Sequence, residues 1–433
     1  MEHKEAVMTT YEDAVKKIME NIPVMKKEEK PLLKCMGQVS AEDVYSDLDL
    51  PRSRISGPDG YAVRSADIKG ASSENPVILR ILATARAGRP TRRTVKAGTA
   101  IRIMTGSVIP DGADCVIRFE DTDEPVDKNG PNTSNPSQVK IYVAAGPGSN
   151  IQPIGSNVRK GTLVVSKGTI IGPTQISALA LIGKTKIEVI RRPIAAIIAT
   201  GDELVNPGNP LGAGKIYNCN TSAIAAFVTY YGGIPKILGV ARDNEAKLIS
   251  KIRRGMTADV IITSGGVSKG DYDLLRLVLG KIGNIVFARI KMGPGASVAF
   301  SLIKKSSTGK GTAVIPVFSL AGPPAGCLVN FETLMRPAFL KMRGLTTVAH
   351  PSVEATVLDS VPNKMAIPFV KFTNLEKKNG EYRVTLNLAE KLDMLASMAA
   401  ANSLTIIPES SVVRAGDKIR VLPLDWYRDH SFF

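Results

Sequence analysis

Between Pro193 and Gly344, an apolar run, a polar loop and an amphipathic stretch follow one another four times. This repeated pattern constrains the fold more than any other feature of the chain. Each apolar run has the length of a strand and ends in a loop rich in Gly, Pro or acidic residues, and a helical pattern follows. The predicted strands are Ile194–Ala199, Ile237–Val240, Val260–Thr263 and Val314–Phe318. This alternation predicts a doubly wound, mostly parallel α/β sheet with helices on both faces. Because ligands bind beyond the carboxyl ends of such strands, the four loops mark the predicted site.

The segments outside this region predict further helical and β-rich domains. Thr10 precedes an amphipathic pattern that predicts a capped helix, and Leu32–Asp43 predicts a second helix. From about Leu50 to Tyr142, short β-type runs alternate with Gly and Pro, and the polar stretch Asp123–Gln138 predicts a mobile loop. Near the C-terminus, Asn379-Gly380 predicts a hairpin turn in a separate small β domain.

The third loop of the α/β region, Ser264-Gly-Gly-Val-Ser268, is the strongest candidate for ligand binding. Two glycines allow backbone amides to approach an anion, hydroxyl groups flank them, and Lys269 follows. These features predict a cradle for a phosphate-bearing ligand. The same pattern also fits a tight turn between a strand and a helix, with Asp271 or Asp273 at the start of the helix.

Carboxylates cluster in the loops of the same region. They are Asp202, Glu203, Asp243, Asp271 and Asp273. Carboxylates beside a phosphate site indicate Mg²⁺, which prefers oxygen ligands and bridges phosphates. Taken singly, Asp243 and Asp271 also fit helix N-caps, and Glu203 also fits the first turn of a helix.

The composition excludes several classes of function. The four cysteines, Cys35, Cys115, Cys219 and Cys327, are far apart and form no Cys-x-x-Cys pair, which argues against a disulfide framework and a structural zinc site. The three histidines lie near the termini and at His350, which argues against a mechanism built on histidine.

The charge balance indicates an anionic small molecule rather than a nucleic acid. The net charge is +16, but basic residues are scattered, aromatic residues make up 5%, and no nucleic-acid-binding motif occurs. The sequence has no apolar run of the roughly 18 residues that a membrane helix needs, and its N-terminus is polar. We therefore expect a cytoplasmic protein with neither a nucleic acid nor a membrane partner.

Several motifs taken together resemble a single family. They are Asp59-Gly-Tyr-Ala-Val, Arg102-Ile-Met-Thr-Gly with Ile109-Pro-Asp-Gly-Ala-Asp, Thr200-Gly-Asp-Glu-Leu, Ile216-Tyr-Asn-Cys-Asn, Thr263–Ser268 and Ser403-Leu-Thr-Ile-Ile-Pro. In this order they resemble MoeA, the molybdenum insertase family that includes the gephyrin E domain. The resemblance runs from about Thr10 to Leu422.

The resemblance implies a multidomain α/β plus β fold. Its four domains would be an elongated linker and dimerisation domain (1–48 and 150–190), a β-rich insert (49–149), an α/β molybdopterin-binding domain (191–345) and a C-terminal small β-barrel (346–433). It also implies a homodimer whose active site lies between the α/β domain of one chain and the insert of the other.

The implied reaction is the Mg²⁺-dependent insertion of molybdate into adenylylated molybdopterin, with release of AMP. A molybdopterin adenylyltransferase and apo-molybdoenzymes are the implied protein partners. Carried over residue by residue, the resemblance gives catalytic roles to Asp59, Thr105, Asp243 and Asp273, and metal binding to Glu203, Asp243 and Asp273. The ligand-binding positions are Thr200, Gly201, Asn220, Ser264, Gly265, Gly266, Ser268 and Lys269. Pyrophosphate cleavage needs charge neutralisation and a positioned oxygen nucleophile rather than histidine.

Three segments depart from the family pattern, and all concern anion binding. After Asn150-Ile151 the family continues with arginines and Gly-Glu-Asp, whereas this chain has Gln152–Asn157. The family's Lys-Pro-Gly-Lys-Pro is Gly293-Pro-Gly-Ala-Ser297 here, and its Leu-Pro-Gly-Asn-Pro is Leu320-Ala-Gly-Pro-Pro324. Losing a charged contact to a buried anion costs about 1.5–3 kcal/mol, so the sequence predicts a modified oxyanion pocket. The basic residues that would either compensate or form solvated surface are Lys269, Lys291, Arg89, Arg92 and Arg93.

Three functional hypotheses remain from the sequence. The first is a molybdenum insertase with a modified pocket, for molybdate or another oxyanion such as tungstate. The second is a non-catalytic paralogue that binds molybdopterin or its adenylate. The third is a hydrolase of another pyrophosphate-containing nucleotide that uses the same Mg²⁺ site.

Overall fold

The computed structural model describes residues 8–124, 137–242, 244–266, 274–305, 314–388 and 394–424. The chain divides into two compact units. One unit comprises residues 1–41, 168–172 and 186–433, and the other comprises residues 42–167 and 173–185. Most of the predicted mobile loop Asp123–Gln138 lies outside the described residues. Within the described residues, no helix has both the length and the apolar character needed to cross a membrane.

The N-terminal segment contains helix α1 (Tyr11–Asn21) and strands β1 (Lys27–Pro31) and β2 (Val39–Ser40). The capped helix is confirmed, because the Thr10 hydroxyl accepts a hydrogen bond from the Asp13 amide at 3.1 Å. Its apolar face is buried at Ala14 and Ile18. These two side chains join the main core of the larger unit.

The predicted helix over Leu32–Asp43 is wrong. Only Leu32–Lys34 forms a turn of 3₁₀ helix, and β2 follows. Gly37 adopts a left-handed conformation with a φ of 73°, which ends the helical turn. The Gln38 side chain donates to the Ile190 carbonyl at 2.9 Å, so the chain continues as an extended strand.

The smaller unit is rich in short strands, as predicted. Its elements are β3 (Val44–Tyr45), β4 (Ile55–Ser56), β5 (Gly60–Val63), β6 (Val77–Ala85), β7 (Thr99–Ile103), β8 (Cys115–Arg118), β9 (Gln138–Ile141), β10 (Ile151–Gln152), β11 (Leu163–Val165) and helix α2 (Pro173–Leu181). Five of these strands form a sheet in the order β8-β5-β7-β6-β9. Strand β5 therefore lies beside β7, and this pairing brings Gly60 opposite Ile103.

The predicted α/β alternation is confirmed. The strands of this region are β12 (Lys186–Ile190), β13 (Ile194–Thr200), β14 (Leu204–Val205), β15 (Ile216–Tyr217), β16 (Ile234–Ala241), β17 (Val260–Ser264), β18 (Asn284–Phe287), β19 (Ala299–Lys304) and β20 (Val314–Leu320). The helices are α3 (Cys219–Tyr230), α4 (Glu245–Gly255), α5 (Leu274–Ile282), α6 (Pro324–Asn330) and α7 (Arg336–Met342), with a π-helical turn at Phe331–Met335 between the last two. Strand β12 pairs with β1 and β2, and the main sheet has the order β16-β13-β17-β20-β19-β18.

The main sheet is parallel over its first four strands and is covered on both faces. Strands β16, β13, β17 and β20 run parallel. Strand β19 pairs antiparallel with both β20 and β18, so β18 runs in the same direction as the first four strands. Along β13, Ala195 and Ile197 enter one hydrophobic core. Ala196 and Ile198 enter a second core on the opposite face. Side chains alternate across a strand, so burial of both sets explains why β13 is apolar at successive positions.

The C-terminal region forms a closed five-stranded barrel, as expected. Its elements are β21 (Val353–Val357), β22 (Val361–Asn363), β23 (Phe369–Lys378), β24 (Glu381–Thr385), α8 (Met394–Ala400), β25 (Ser403–Ile407), β26 (Ser411–Val413) and β27 (Lys418–Pro423), and the barrel order is β21-β24-β23-β25-β27. The predicted hairpin turn is confirmed, because Asn379 and Gly380 have φ values of 53° and 83°. Positive φ at both central residues is typical of a type I′ turn.

Candidate functional site

A cavity of about 330 Å³ lies at the carboxyl edge of the main sheet, where the sequence predicts ligand binding. Strands β13 and β17 reach it at Thr200 and Ser264, and the loop after β20 reaches it at Gly322. The start of α3 and the β14–β15 pair complete the wall. The described residues that line the cavity are Thr200, Glu203, Leu204, Ile216, Tyr217, Asn218, Cys219, Asn220, Ser264, Gly265, Gly322, Pro323 and Pro324. The size is within the range of small-molecule sites.

Gly265 and Gly266 pack directly against Thr200. Both have positive φ, 84° and 71°. A Cβ at Gly265 would lie 2.7 Å from the Thr200 carbonyl oxygen, and one at Gly266 would lie 2.9 Å from the Thr200 hydroxyl. That hydroxyl donates a hydrogen bond to the Ser264 carbonyl at 3.2 Å. The glycines are therefore required both by backbone conformation and by close packing of two adjacent strand ends.

Glu203 belongs to the wall of this cavity and is not in a helix. It precedes β14, and its carbonyl accepts a hydrogen bond from the Ile216 amide at 3.0 Å. The alternative interpretation of Glu203 as a first-turn helix residue is therefore wrong. The exposed carboxylate folds back over Gly201, where a Cβ would lie 2.5 Å from Oε1. Gly201 thus leaves room for the carboxylate at the end of β13.

The first turn of α3 contributes two asparagines to the cavity. Asn220, a predicted site residue, donates from Nδ2 to the Gly322 carbonyl at 2.8 Å and so links α3 to the loop after β20. Asn218 was not among the predicted site residues. Its side chain caps α3 by accepting a hydrogen bond from the Thr221 amide at 3.2 Å. The preference of asparagine for the N-cap position was the signal that would have located it.

Some predicted acidic residues lie elsewhere or outside the described chain. Asn244, not Asp243, caps α4 and accepts a hydrogen bond from the Lys247 amide at 3.0 Å, so the interpretation of Asp243 as that N-cap is wrong. Asp202 lies 3.9 Å from Arg242 in an exposed ion pair. Five of the predicted residues lie outside the described chain: Asp243, Ser268, Lys269, Asp271 and Asp273. Within the described residues, no group of three His, Cys, Asp or Glu side chains is placed to hold a metal ion.

Asp59 and Thr105 are both exposed and are hydrogen-bonded to each other where β5 begins and β7 ends. The Asp59 carboxylate accepts two hydrogen bonds from Thr105, at 2.7 Å from the amide and 2.9 Å from the hydroxyl. Asp59 directly precedes β5, and Thr105 lies just after β7. The pairing of β5 with β7 therefore explains why residues that are distant in sequence meet here.

A buried cluster of Tyr61, Arg102 and Glu124 joins the same two strands. Arg102 donates from Nε and Nη2 to Glu124 Oε1 at 3.0 Å and 2.6 Å, and the Tyr61 hydroxyl donates to Glu124 Oε2. Burial is the main cause that raises the pKa of Tyr61. The hydrogen bond to Glu124 and the negative charge of Glu124 raise this pKa further. The sequence motifs included Tyr61 and Arg102, but Glu124 was not identified.

Asn330 connects the two loops that depart from the family pattern in the α/β region. Its Nδ2 donates to the Gly295 carbonyl at 3.0 Å, and its Oδ1 accepts from the Ala321 amide at 3.3 Å. A Cβ at Gly295 would lie 2.8 Å from the Gly326 carbonyl oxygen, so the first of these loops packs closely against α6, which follows the second. Lys291, one candidate for compensating charge, pairs instead with Glu409 at 3.0 Å. The other described candidates, Arg89, Arg92 and Arg93, are exposed residues of the smaller unit.

Comparison with known proteins places these features in one family. Residues 9–183 match the MoeA N-terminal region (domain I and II), and residues 196–341 match the family described as a probable molybdopterin binding domain. A molybdopterin molybdenumtransferase of Staphylococcus epidermidis is 32% identical over 402 residues, which cover 92% of this chain and 90% of that protein. A molybdopterin molybdenumtransferase of Bacillus subtilis is 32% identical over 372 residues, covering 85% and 83%.

A solved structure supports the same relationship. The molybdopterin biosynthesis MoeA protein from Pyrococcus horikosii superimposes with a TM-score of 0.79 at 30% identity, covering 96% of this chain and 99% of that one. The fold and the cavity thus define a multidomain enzyme built around an α/β domain of the molybdopterin-binding type. The chain belongs to the MoeA family of molybdopterin molybdenumtransferases, enzymes of molybdenum cofactor biosynthesis.

Proposed function

We propose that this chain catalyses the Mg²⁺-dependent insertion of molybdate, or a related oxyanion, into adenylylated molybdopterin with release of AMP, as a cytoplasmic homodimer. The observation that carries the proposal is the cavity at the carboxyl edge of the sheet. It combines closely packed glycine backbone at Gly265 with the hydroxyl-bearing residues Thr200 and Ser264 and the Glu203 carboxylate. The Gly265 amide and the Thr200 hydroxyl donate to the carbonyls of Leu320 and Ser264, each at 3.2 Å, and so hold the wall of the cavity in place. The Ser264 hydroxyl suits a phosphate oxygen, and the Glu203 carboxylate suits a hard cation.

The individual roles are the ones that the family resemblance implies, and the position of the cavity-lining residues supports their share of them. The phosphates are bound by Thr200, Gly201, Asn220, Ser264, Gly265, Gly266, Ser268 and Lys269. Glu203 fits a Mg²⁺ ligand because its oxygen atoms are exposed at the cavity wall, and Asp243 and Asp273 would complete the ligand set. Asp59 and Thr105 take part in catalysis. The four domains with the boundaries given above remain part of the proposal.

In the proposed reaction water adds to phosphorus as the phosphoanhydride bond of the adenylate breaks, which releases AMP and leaves the phosphate on the pterin. The two dithiolene sulfurs bond to the molybdenum of the molybdate substrate, and one molybdate oxygen leaves as water with the two thiol protons. When bound, Mg²⁺ supplies charge neutralisation to the phosphate oxygens. The chain itself must orient the phosphates and fix the loop around them. The Thr200 hydroxyl serves the second task, since its hydrogen bond to the Ser264 carbonyl ties β13 to the glycine loop. A molybdopterin adenylyltransferase would supply the substrate, and apo-molybdoenzymes would receive the product.

The deciding experiment incubates the purified protein with adenylylated molybdopterin and Mg²⁺, with and without molybdate, and measures AMP and metallated cofactor. Molybdate-dependent AMP release with metallated product supports the proposal, and a chelator should abolish it until Mg²⁺ is restored. AMP release that is independent of any oxyanion would instead identify a hydrolase. Tight binding of the adenylate without AMP would identify a non-catalytic paralogue, which the departures at Ala296 and Pro323 favour as the second candidate.

A further inference from the structure

The smaller unit carries an arginine-rich loop, residues 86–94, in the connection between β6 and β7. Four of its nine residues are arginine, and the sequence has no acidic residue between Glu74 and Asp111. The four arginines are all exposed, and they are Arg86, Arg89, Arg92 and Arg93. This arginine loop is therefore a surface segment of a single charge sign.

Both ends of the arginine loop are anchored in the core of the smaller unit. Ala85 and Val95, which flank the loop, belong to the same buried hydrophobic cluster. At the start of the loop, the Arg89 amide donates a hydrogen bond to the Arg86 carbonyl at 2.9 Å, and Gly88 between them has a φ of 74°. This is the geometry of a tight β-turn with glycine at its third position. The backbone therefore holds Arg86 and Arg89 next to each other.

The positive charge of the loop is not neutralised by ion pairs of the described chain. In the described part of the smaller unit, the arginines that form ion pairs are Arg64, Arg102 and Arg118. Among the described residues, no carboxylate lies within ion-pair distance of a loop arginine. Like charges held in one short segment repel each other, and an anionic partner relieves that repulsion. The planar guanidinium group suits a carboxylate, which it binds through two parallel hydrogen bonds.

The start of the arginine loop lies beside the hydrogen-bonded pair of Asp59 and Thr105. Gly106 directly follows Thr105, and a Cβ on Gly106 would lie 4.0 Å from the Ala87 Cβ, which is an ordinary van der Waals distance. A partner bound to the loop would therefore lie next to the two residues for which we propose a role in catalysis.

The surroundings of the loop favour a short acidic peptide segment over a nucleic acid. The loop contains no aromatic residue on which a base could stack. An exposed acidic residue lies near each end, since Asp59 is close to the start and the Asp111 carbonyl accepts a hydrogen bond from the Val95 amide at 2.8 Å just past the end. These two acids confine the positive surface to the loop, whereas binding of a nucleic acid needs positive charge along many successive phosphates.

We propose that the arginine loop is a docking surface for a short acidic segment of a partner protein. Aspartate or glutamate side chains of that segment pair with the guanidinium groups, and the anchored ends of the loop keep the surface in place. The inference goes beyond the proposed reaction, because it assigns a surface for protein recognition and requires no turnover.

The test measures binding of a fluorescein-labelled polyglutamate peptide to the whole chain by fluorescence anisotropy at about 0.15 M salt. Replacing the four loop arginines by glutamine should weaken binding roughly 10- to 100-fold, as expected for the loss of several exposed charge pairs. Replacing them by lysine should retain most of the affinity, because the charge remains. A matched control removes four charges from exposed positions elsewhere in the smaller unit and should lose much less affinity. Its changes are Arg52→Gln, Lys69→Gln, Lys160→Gln and Lys167→Gln.

The comparison between the loop variant and the control decides the inference. Equal losses would show that the peptide responds only to the overall positive charge of the chain, and a wild type that does not bind polyglutamate would be equally fatal to the inference. A single-stranded oligonucleotide of the same net charge should bind more weakly than the peptide. Tighter, loop-dependent binding of the oligonucleotide would identify a nucleic-acid surface instead.

A second variant keeps the test decisive if the four-fold variant does not fold. Arg86→Gln combined with Arg89→Gln changes only the turn at the start of the loop and should show an intermediate loss of affinity. Circular dichroism spectra that match the wild type establish that each variant is folded. A folded double variant with wild-type affinity would overturn the inference.

Discussion

Replacing Glu124 by leucine leaves the guanidinium of Arg102 in the interior of the smaller unit without the carboxylate that it contacts at 2.6 Å. The side chain of Glu124 is 1% exposed and that of Arg102 is 11% exposed, so water cannot readily take the place of the lost contact. Removing one partner of such a buried pair costs about 3–5 kcal/mol. The hydroxyl of Tyr61 loses its acceptor at the same time. We therefore expect the free energy of unfolding of the smaller unit to fall by about 3–5 kcal/mol.

Pulse proteolysis across a urea series, with fragments assigned by mass spectrometry, measures the unfolding of the smaller unit separately. With a urea m-value of about 1–3 kcal/mol/M, its midpoint should fall by at least roughly 1 M. The control is Glu409→Leu, which breaks the exposed pair with Lys291 and should cost no more than about 1 kcal/mol in the larger unit. The double variant Arg102→Met with Glu124→Leu should recover most of the loss, because no charge remains buried. Two outcomes would contradict this prediction: a loss of unfolding free energy in Glu124→Leu no larger than that in Glu409→Leu, or a double variant as unstable as the single one.

Three further predictions concern the cavity and the buried tyrosine. Gly265→Ala should destabilise the larger unit by about 1–3 kcal/mol and abolish high-affinity binding of the adenylate in calorimetry, because a Cβ would lie 2.7 Å from the Thr200 carbonyl oxygen. Gly280→Ala, within α5 and with nothing near its Cβ, should be neutral or stabilising, and equal effects of the two changes would contradict this account. Cys219 is exposed at the cavity whereas Cys35, Cys115 and Cys327 are buried, so iodoacetamide should alkylate Cys219 first and the adenylate should slow that reaction. If mass spectrometry shows that saturating adenylate does not slow the alkylation of Cys219, the ligand binds elsewhere. Because the folded protein raises the pKa of Tyr61, the stability that this group contributes is present below the ordinary tyrosine pKa of about 10 and is lost as pH rises above it. Urea midpoints measured from pH 8 to 11 should therefore fall less steeply for Tyr61→Phe, and identical slopes would show that another group controls the alkaline loss.

Elements whose pattern is set by burial were predictable from the sequence. The four apolar runs of the α/β region became β13, β16, β17 and β20. For β13, β17 and β20 the reason is burial on both faces, which requires apolar residues at successive positions. Strand β16 lies at the edge of the sheet and keeps Ile234 and Ile237 exposed. The Asn379-Gly380 hairpin followed from local backbone preference, which tertiary contacts did not override. The position of the cavity at the carboxyl edge of the sheet was also predictable, since it depends only on where the parallel strands end.

Features that depend on contacts between distant segments were not predictable. The segment Leu32–Asp43 has a sequence compatible with a helix, but Gly37 ends the helical turn and Val39–Ser40 pairs with β12. Glu124 has no local signal, because its importance comes from Arg102 and Tyr61 on other strands. The glycines at Gly265 and Gly266 were assigned to anion approach, and their packing against Thr200 emerges only in three dimensions.

The buried side-chain amide of Asn330 couples the two loops that depart from the family pattern, Gly293–Ser297 and Leu320–Pro324. One side chain satisfies both the Gly295 carbonyl and the Ala321 amide, so a substitution that shifts one loop displaces a hydrogen bond of the other. Ala296→Lys introduced alone would change one of these loops and leave Pro323 in the other. An exchange of either loop for another sequence therefore calls for replacing both loops together around an unchanged Asn330.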